Sequence, residues 1–232
     1  MGMRTPRLNK AIACEFIGTA LLLATVVGSG IMGERLAGGN VAIALLANTL
    51  ATGAALVALI ATFGPRSGAH FNPLVTLTEV ALKRLGWATA VAYLAAQVLG
   101  AIAGVVAAHY MFELPLLMPS VHVRTGPHQW WSETVASFGL LTVILNVAKT
   151  RPDFVPVAVG SYITAAYWFT ASTSFANPAV TLARALTDTF SGIRPADVPG
   201  FILAQVAGAG LALAFFAWLE AGDAPTLPAP KA

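Results

Sequence analysis

The stretch Phe71-Asn72-Pro73-Leu74-Val75-Thr76-Leu77 returns, little changed, as Ala176-Asn177-Pro178-Ala179-Val180-Thr181-Leu182. Asn is a favoured helix N-cap and Pro fits the first helical position, so each Asn-Pro reads as the start of a helix. The residues that follow, through about Lys83 and Ala185, suffice for two or three turns. The chain before each Asn is loop-like: Gly64-Pro65-Arg66-Ser67-Gly68 in one copy, Ala171-Ser172-Thr173-Ser174 in the other. A single Asn-Pro would be read as a turn. Two copies in near-identical contexts are an internal repeat.

Apolar runs surround these segments, at about 11–33, 41–63, 88–112, 132–148, 154–173 and 198–219. Each approaches the roughly 20 residues needed to cross a bilayer. The two Asn-Pro segments, roughly 65–85 and 174–190, are too short and too broken by Gly or Pro to cross. The chain has 232 residues, 57% hydrophobic and 10% charged, with mean hydropathy +0.75. A soluble domain carries about 25% charge, so too few polar groups remain here to cover a soluble surface. The composition predicts an all-α integral membrane protein of six transmembrane helices plus two re-entrant half-helices. Six spans use nearly all of residues 1–232, which predicts a single membrane domain with halves about 10–112 and 130–220. The loop 113–130 joins the halves, and a polar, Pro-rich tail covers 221–232.

The repeat extends beyond the motif. Ala96-Gln97-Val98-Leu99-Gly100 matches Ala204-Gln205-Val206-Ala207-Gly208, and Glu15 is echoed by Glu133. Each half holds three spans, and an odd number forces the halves into opposite orientations, an inverted repeat. Irregular backbone at membrane depth is tolerated where it is buried in protein or lines a cavity. Two such loops entering from opposite faces imply a water-accessible path. The half-helix N-termini would meet at the centre, each carrying roughly half a positive charge that repels cations. The Asn72 and Asn177 amides would offer donors to a passing neutral solute. Glu15 and Glu133 are intramembrane acids, functional suspects by default. Proton relay is one reading. The stronger one is structural: accepting hydrogen bonds from the exposed N–H groups of the re-entrant loops.

Charge reports topology. With the N-terminus inside, nine Lys and Arg residues face the cytoplasm and four, Arg35, Arg124, Arg184 and Arg194, face outward. That bias places both termini in the cytoplasm. The pI of 9.3 comes from basic residues spread through loops, which argues against nucleic acid as a partner. The single cysteine, Cys14, allows no intrachain disulfide and reads as a small packed residue. The first apolar run is too long for a cleavable signal and leads directly into further spans. His122 and His128 match no metal spacing. No Ser/His/Asp set, metal cluster or phosphate loop appears, so neither an enzyme nor a cofactor nor a bound metal is expected.

Ser67-Gly68-Ala69-His70-Phe71-Asn72-Pro73 and Ser174-Phe175-Ala176-Asn177-Pro178-Ala179 resemble the paired signatures of the major intrinsic proteins, the aquaporin and aquaglyceroporin superfamily. The resemblance covers about 10–220. It implies an aquaporin-like fold, a homotetramer with one pore per subunit, a cell-membrane location (in a bacterium, the inner membrane), and passive conduction of water or small neutral solutes. Two departures stand out. Leu74 replaces the usual Ala, a larger side chain that leaves Asn72 in place. Val180 replaces the arginine that most members carry at the outer constriction. By family spacing the filter comprises Thr52, Ala165, Ser174 and Val180, all small and uncharged. Such a wide filter resembles the bacterial branch of aquaglyceroporins associated with arsenic resistance. The implied solutes are water, glycerol, arsenite, antimonite and methylated arsenicals. Arg184, four residues beyond Val180, would place its charge about 6 Å outward at the vestibule, at about 1.5 Å per residue. The alternative is a solvated residue suiting a helix C-terminus. Three other readings stay open: a water and glycerol facilitator without a metalloid role, an ion-coupled secondary transporter, and a closed structural membrane protein.

Overall fold

The computed structural model describes residues 5–222, and every regular element among them is helical. The first half comprises α1 (Thr5–Leu36), α2 (Val41–Ser67), the short α3 (Pro73–Ala81) and α4 (Trp87–Met111). The second comprises α5 (Pro127–Thr150), α6 (Val155–Phe169), the short α7 (Pro178–Arg184) and α8 (Val198–Gly222). Five helices, α1, α2, α4, α5 and α8, are long and apolar enough to cross a membrane. The sixth span is shorter than its apolar run. α6 has 15 residues, about 22 Å of helix, and a single 3₁₀ turn at Pro152–Phe154 leads into it. It stops at Phe169 because the Thr170-Ala171-Ser172-Thr173 stretch turns the chain inward toward Asn177. The expected tail falls almost wholly on residues outside the described ones.

Local chemistry sets the helix ends. Asn40 caps α2 by accepting from the N–H groups of Ala42 and Ile43, at 3.1 and 3.2 Å. At its far end Gly68 adopts φ 87°, the left-handed C-cap geometry that glycine takes without penalty. Proline opens α3, α5 and α7 at the first turn, where a missing N–H costs nothing.

The halves pack alike. α1 lies against α4 and α2, α5 lies against α8 and α6, and the α2–α6 contact joins the halves. At the two main crossings a glycine admits the neighbouring backbone: a Cβ on Gly100 would strike the Phe16 carbonyl, and one on Gly208 the Thr134 carbonyl. These are the glycines of the repeated Gln-Val-x-Gly segments. α3 and α7 meet inside this frame. Leu74 is buried with Val75, Leu141, Ala209 and Ala212, so its extra bulk points into packing and Asn72 keeps its capping position.

Candidate functional site: the junction of the two half-helices

Each Asn caps its own half-helix and grips the other half. Asn72 Oδ1 accepts from Leu74 N at 2.9 Å, and Asn177 Oδ1 accepts from Ala179 N at 3.0 Å and Val180 N at 3.3 Å. Asn72 Nδ2 donates to the Ala176 carbonyl and Asn177 Nδ2 to the Phe71 carbonyl, both at 2.8 Å. An amide nitrogen carries two hydrogens. One on each Asn is therefore fixed across the junction, and the other has no partner among the described residues.

The carboxylates hold the loops. Glu15 accepts from His70 N at 3.0 Å and Phe71 N at 2.7 Å. Glu133 accepts from Phe175 N and Ala176 N, both at 2.9 Å. A glutamine completes each cluster: Gln97 donates to Glu15 and Thr76, and Gln205 to Glu133 and Thr181, all within 2.9 Å. Both acids are fully buried, and their oxygens are occupied by N–H donors. Charge-assisted bonds of this kind are about twice as strong as neutral ones. The loops need such support because their backbones are strained. Ala69 and Phe71 have φ near 49°, and Thr173, Ser174 and Ala176 lie between 46° and 60°. Non-glycine residues rarely adopt this region, and they persist in it only where surrounding bonds over-determine them.

A cavity of about 100 Å³ runs past the junction, room for several waters at about 10–15 Å³ each. Its wall is mostly aliphatic, from stripes on α2 (Thr52, Leu56, Ile60) and α6 (Val159, Ile163, Tyr167), with Asn72 and Asn177 at its polar centre. Of the residues expected from family spacing, Thr52, Ser174 and Val180 line it. Ala165 does not. It is exposed on the opposite face of α6, because two residues rotate a helix by about 200° from Tyr167. The α6 position at this level belongs to Tyr167, whose hydroxyl lies 3.5 Å from Thr52 Oγ1. The α6 residue on the wall thus lies two places nearer the motif than family spacing expects.

Arg184 also departs from the solvated reading. It is 2% exposed and forms part of the cavity wall. The wall at this end is therefore neither uniformly small nor uncharged. Its guanidinium carbon lies 3.4 Å from the Phe175 ring centroid, and Nε donates to the Ser191 carbonyl. The loop after α4 closes over this end. Met118 N and Ser120 N donate to the Leu186 and Ala185 carbonyls, and Val121 N to Asp188. Arg124 donates to the Gly192 and Ser172 carbonyls while Asp197 accepts from its N–H. Burial pushes the His122 imidazole below its ordinary value, helped by the Arg124 and Arg184 charges and opposed by Asp188 and Glu34. Among the described residues no group of acids, histidines and cysteines is placed to hold a metal.

The glutamines and Tyr167 are the residues that sequence reasoning passed over. Gln97 and Gln205 carry a usable signal, a polar residue at the same point of two apolar spans. Tyr167 is marked by the i, i+4 stripe it shares with Val159 and Ile163.

Comparisons with known proteins agree with this geometry. A family model described as major intrinsic protein matches residues 2–174. The chain is 57% identical over 212 residues to aquaglyceroporin AqpS of Rhizobium meliloti (strain 1021), covering 91% of each. It is 32% identical over 164 residues to aquaporin NIP3-1 of Oryza sativa subsp. japonica, covering 68% of this chain and 51% of that one. The crystal structure of the aquaglyceroporin from Plasmodium falciparum superposes with a TM-score of 0.72 at 19% identity, covering 94% of this chain and 98% of the other. That likeness concerns the fold.

Proposed function

The chain belongs to the major intrinsic protein family, and from that premise we propose a passive channel that carries neutral metalloid hydroxides as well as water and glycerol-like polyols. It is a multi-pass membrane channel and not an enzyme. The observation that carries the solute class is Val180. Its small side chain lines the cavity beside Thr52 and Ser174, where most of the family carries an arginine. Room at that level admits a solute larger than water. Arsenous and antimonous acids at neutral pH are uncharged triols, close in shape and hydrogen bonding to glycerol, and methylated arsenicals exchange a hydroxyl for a methyl that the aliphatic α2 and α6 stripes accommodate.

The path suits uncharged solutes. Two capping amides each leave one N–H for a hydroxyl oxygen, and the aliphatic α2 and α6 stripes offer a bare ion no replacement for its hydration shell. The assembly we propose is a homotetramer with one pore per subunit in a bacterial inner membrane, both termini cytoplasmic. The test is a permeability panel on purified protein in liposomes: water, glycerol, arsenite, antimonite and a methylated arsenical. Flux that rises linearly with solute gradient for all five supports the reading. Passage of water alone overturns the solute class, and uptake abolished by a proton or sodium uncoupler replaces the channel with a coupled transporter.

A further inference from the structure

Seven residues after each capping Asn the halves carry opposite charges, Glu79 in the first and Arg184 in the second. Glu79 is partly exposed and pairs with Arg84 at 3.5 Å. Arg184 is buried and has no ion-pair partner among the described residues. Its Nη1 is enclosed and makes no hydrogen bond. The nearby Glu133 carboxylate is occupied by the Phe175 and Ala176 N–H groups and by Gln205. Arg124, whose guanidinium lies 5.2 Å from the same Phe175 ring, is engaged by two carbonyls. Ser174 Oγ, on the same cavity wall, is likewise without a partner.

Helical side chains lean toward the N-terminus of their helix. Arg184 starts one turn beyond Val180 and reaches back along α7, so its guanidinium stacks on Phe175, two residues before Asn177. It therefore stands beside the loop that lines the path and not a turn outward. Tyr167, Ser174 and Val180 belong to the same wall.

We propose that Arg184 is a specificity-determining residue of the α7 mouth, a relocated fixed cation that refuses cations and whose guanidinium donates to an oxygen of each passing neutral solute. The small Val180 gives the reaching side chain and the solute their room. A buried guanidinium without an ion-pair partner is costly, and a solute oxygen entering the mouth supplies it with an acceptor. Cations meet an uncompensated charge in a low-dielectric wall, where repulsion is far stronger than in water. The α3 mouth has no equivalent, because its charge is acidic, partly exposed and already paired. The proposal rests on reading this cavity as the permeation path.

The experiment measures K⁺ leak and glycerol flux in proteoliposomes carrying wild type, Arg184→Gln, and the double variant Val180→Arg with Arg184→Gln. The double variant moves the charge one turn back and avoids two like charges at i, i+4. Expected is a K⁺ leak at least about tenfold above wild type in Arg184→Gln, a change of about 1.4 kcal/mol in the barrier, returned to within about twofold by the double variant. A folded Arg184→Gln that excludes K⁺ as wild type does overturns the proposal, because a merely structural arginine would leave the leak unmoved. Should Arg184→Gln fail to assemble, Arg184→Lys carries the test: retained K⁺ exclusion with slowed glycerol supports the fixed-charge role, and lost exclusion overturns it. A wild type that passes no glycerol sinks the solute reading above while the K⁺ comparison still reports on Arg184.

Discussion

The two half-helices share a scaffold and differ at their mouths. Matching positions carry the same work: Glu15 and Glu133 hold the loops, Gln97 and Gln205 brace the acids, and Asn72 and Asn177 cross over to each other's half. Even the left-handed backbone is duplicated, with Gly68, Ala69 and Phe71 matched by Thr173, Ser174 and Ala176, all at positive φ. Ser67 Oγ accepts from Ala69 N as Ser172 Oγ accepts from Ser174 N. Beyond this frame the resemblance stops. The Ser67 carbonyl accepts from the neutral Tyr93 hydroxyl, the Ser172 carbonyl from the Arg124 guanidinium. His70 stands where Phe175 does, and Glu79 where Arg184 does. The common parts build a junction that must hold together in any channel of this shape. The divergent parts are free of that duty, and the proposed solute choice rests on them.

That division can be broken. The largest effect is expected from removing either carboxylate. Glu15→Ala and Glu133→Ala each strand two buried loop N–H groups and a glutamine amide, at about 1–3 kcal/mol per group. Both should lose folded protein to a similar extent, by thermal aggregation in detergent. A loss confined to one half would mean that the matched hydrogen bonds are not matched in energy. Next come Asn72→Ala and Asn177→Ala, each removing a cap worth about 1 kcal/mol and a cross-junction bond worth about the same. Their thermal shifts should be alike. The double variant should cost less than the sum of the two if the crossed bonds act as one unit, and a fully additive pair would separate them.

A smaller and opposite-signed effect distinguishes the loops. Gly68 and Thr173 occupy the same left-handed position, at φ 87° and 60°. Glycine adopts it freely, whereas a β-branched residue there is strained by about 1–3 kcal/mol. Gly68→Thr should lower the aggregation temperature. Thr173→Gly should raise it by the equivalent of about 1 kcal/mol, after the greater freedom glycine has when unfolded is deducted. A destabilising Thr173→Gly would show that the threonine side chain supplies more than its backbone loses.

The scaffold was legible in the sequence because it is written twice. The paired Asn-Pro segments, the two acids and the Gln-Val-x-Gly echoes reinforce one another, and a membrane chain has few folds that satisfy them all. The mouth was legible only in part. Thr52, Ser174 and Val180 could be counted from the motifs, since helix α2 and the segment around Asn177 hold their register. Ala165 could not, because the connection from α6 to Asn177 has a length of its own and a two-residue offset moves a side chain to the other face. The burial of Arg184 is hidden from the sequence for a different reason. A basic residue at a helix C-terminus ordinarily faces solvent, and nothing local in the sequence announces that Phe175 and the Ser191 carbonyl bury it.

The most direct test of the central claim, that room at position 180 sets what the channel admits, is the flux of glycerol and arsenite relative to water in Val180→Phe proteoliposomes. The account predicts at least about a tenfold fall for both solutes, about 1.4 kcal/mol, with water reduced by less than about threefold. Unchanged solute flux in the folded variant, or an equal fall for water, would contradict it.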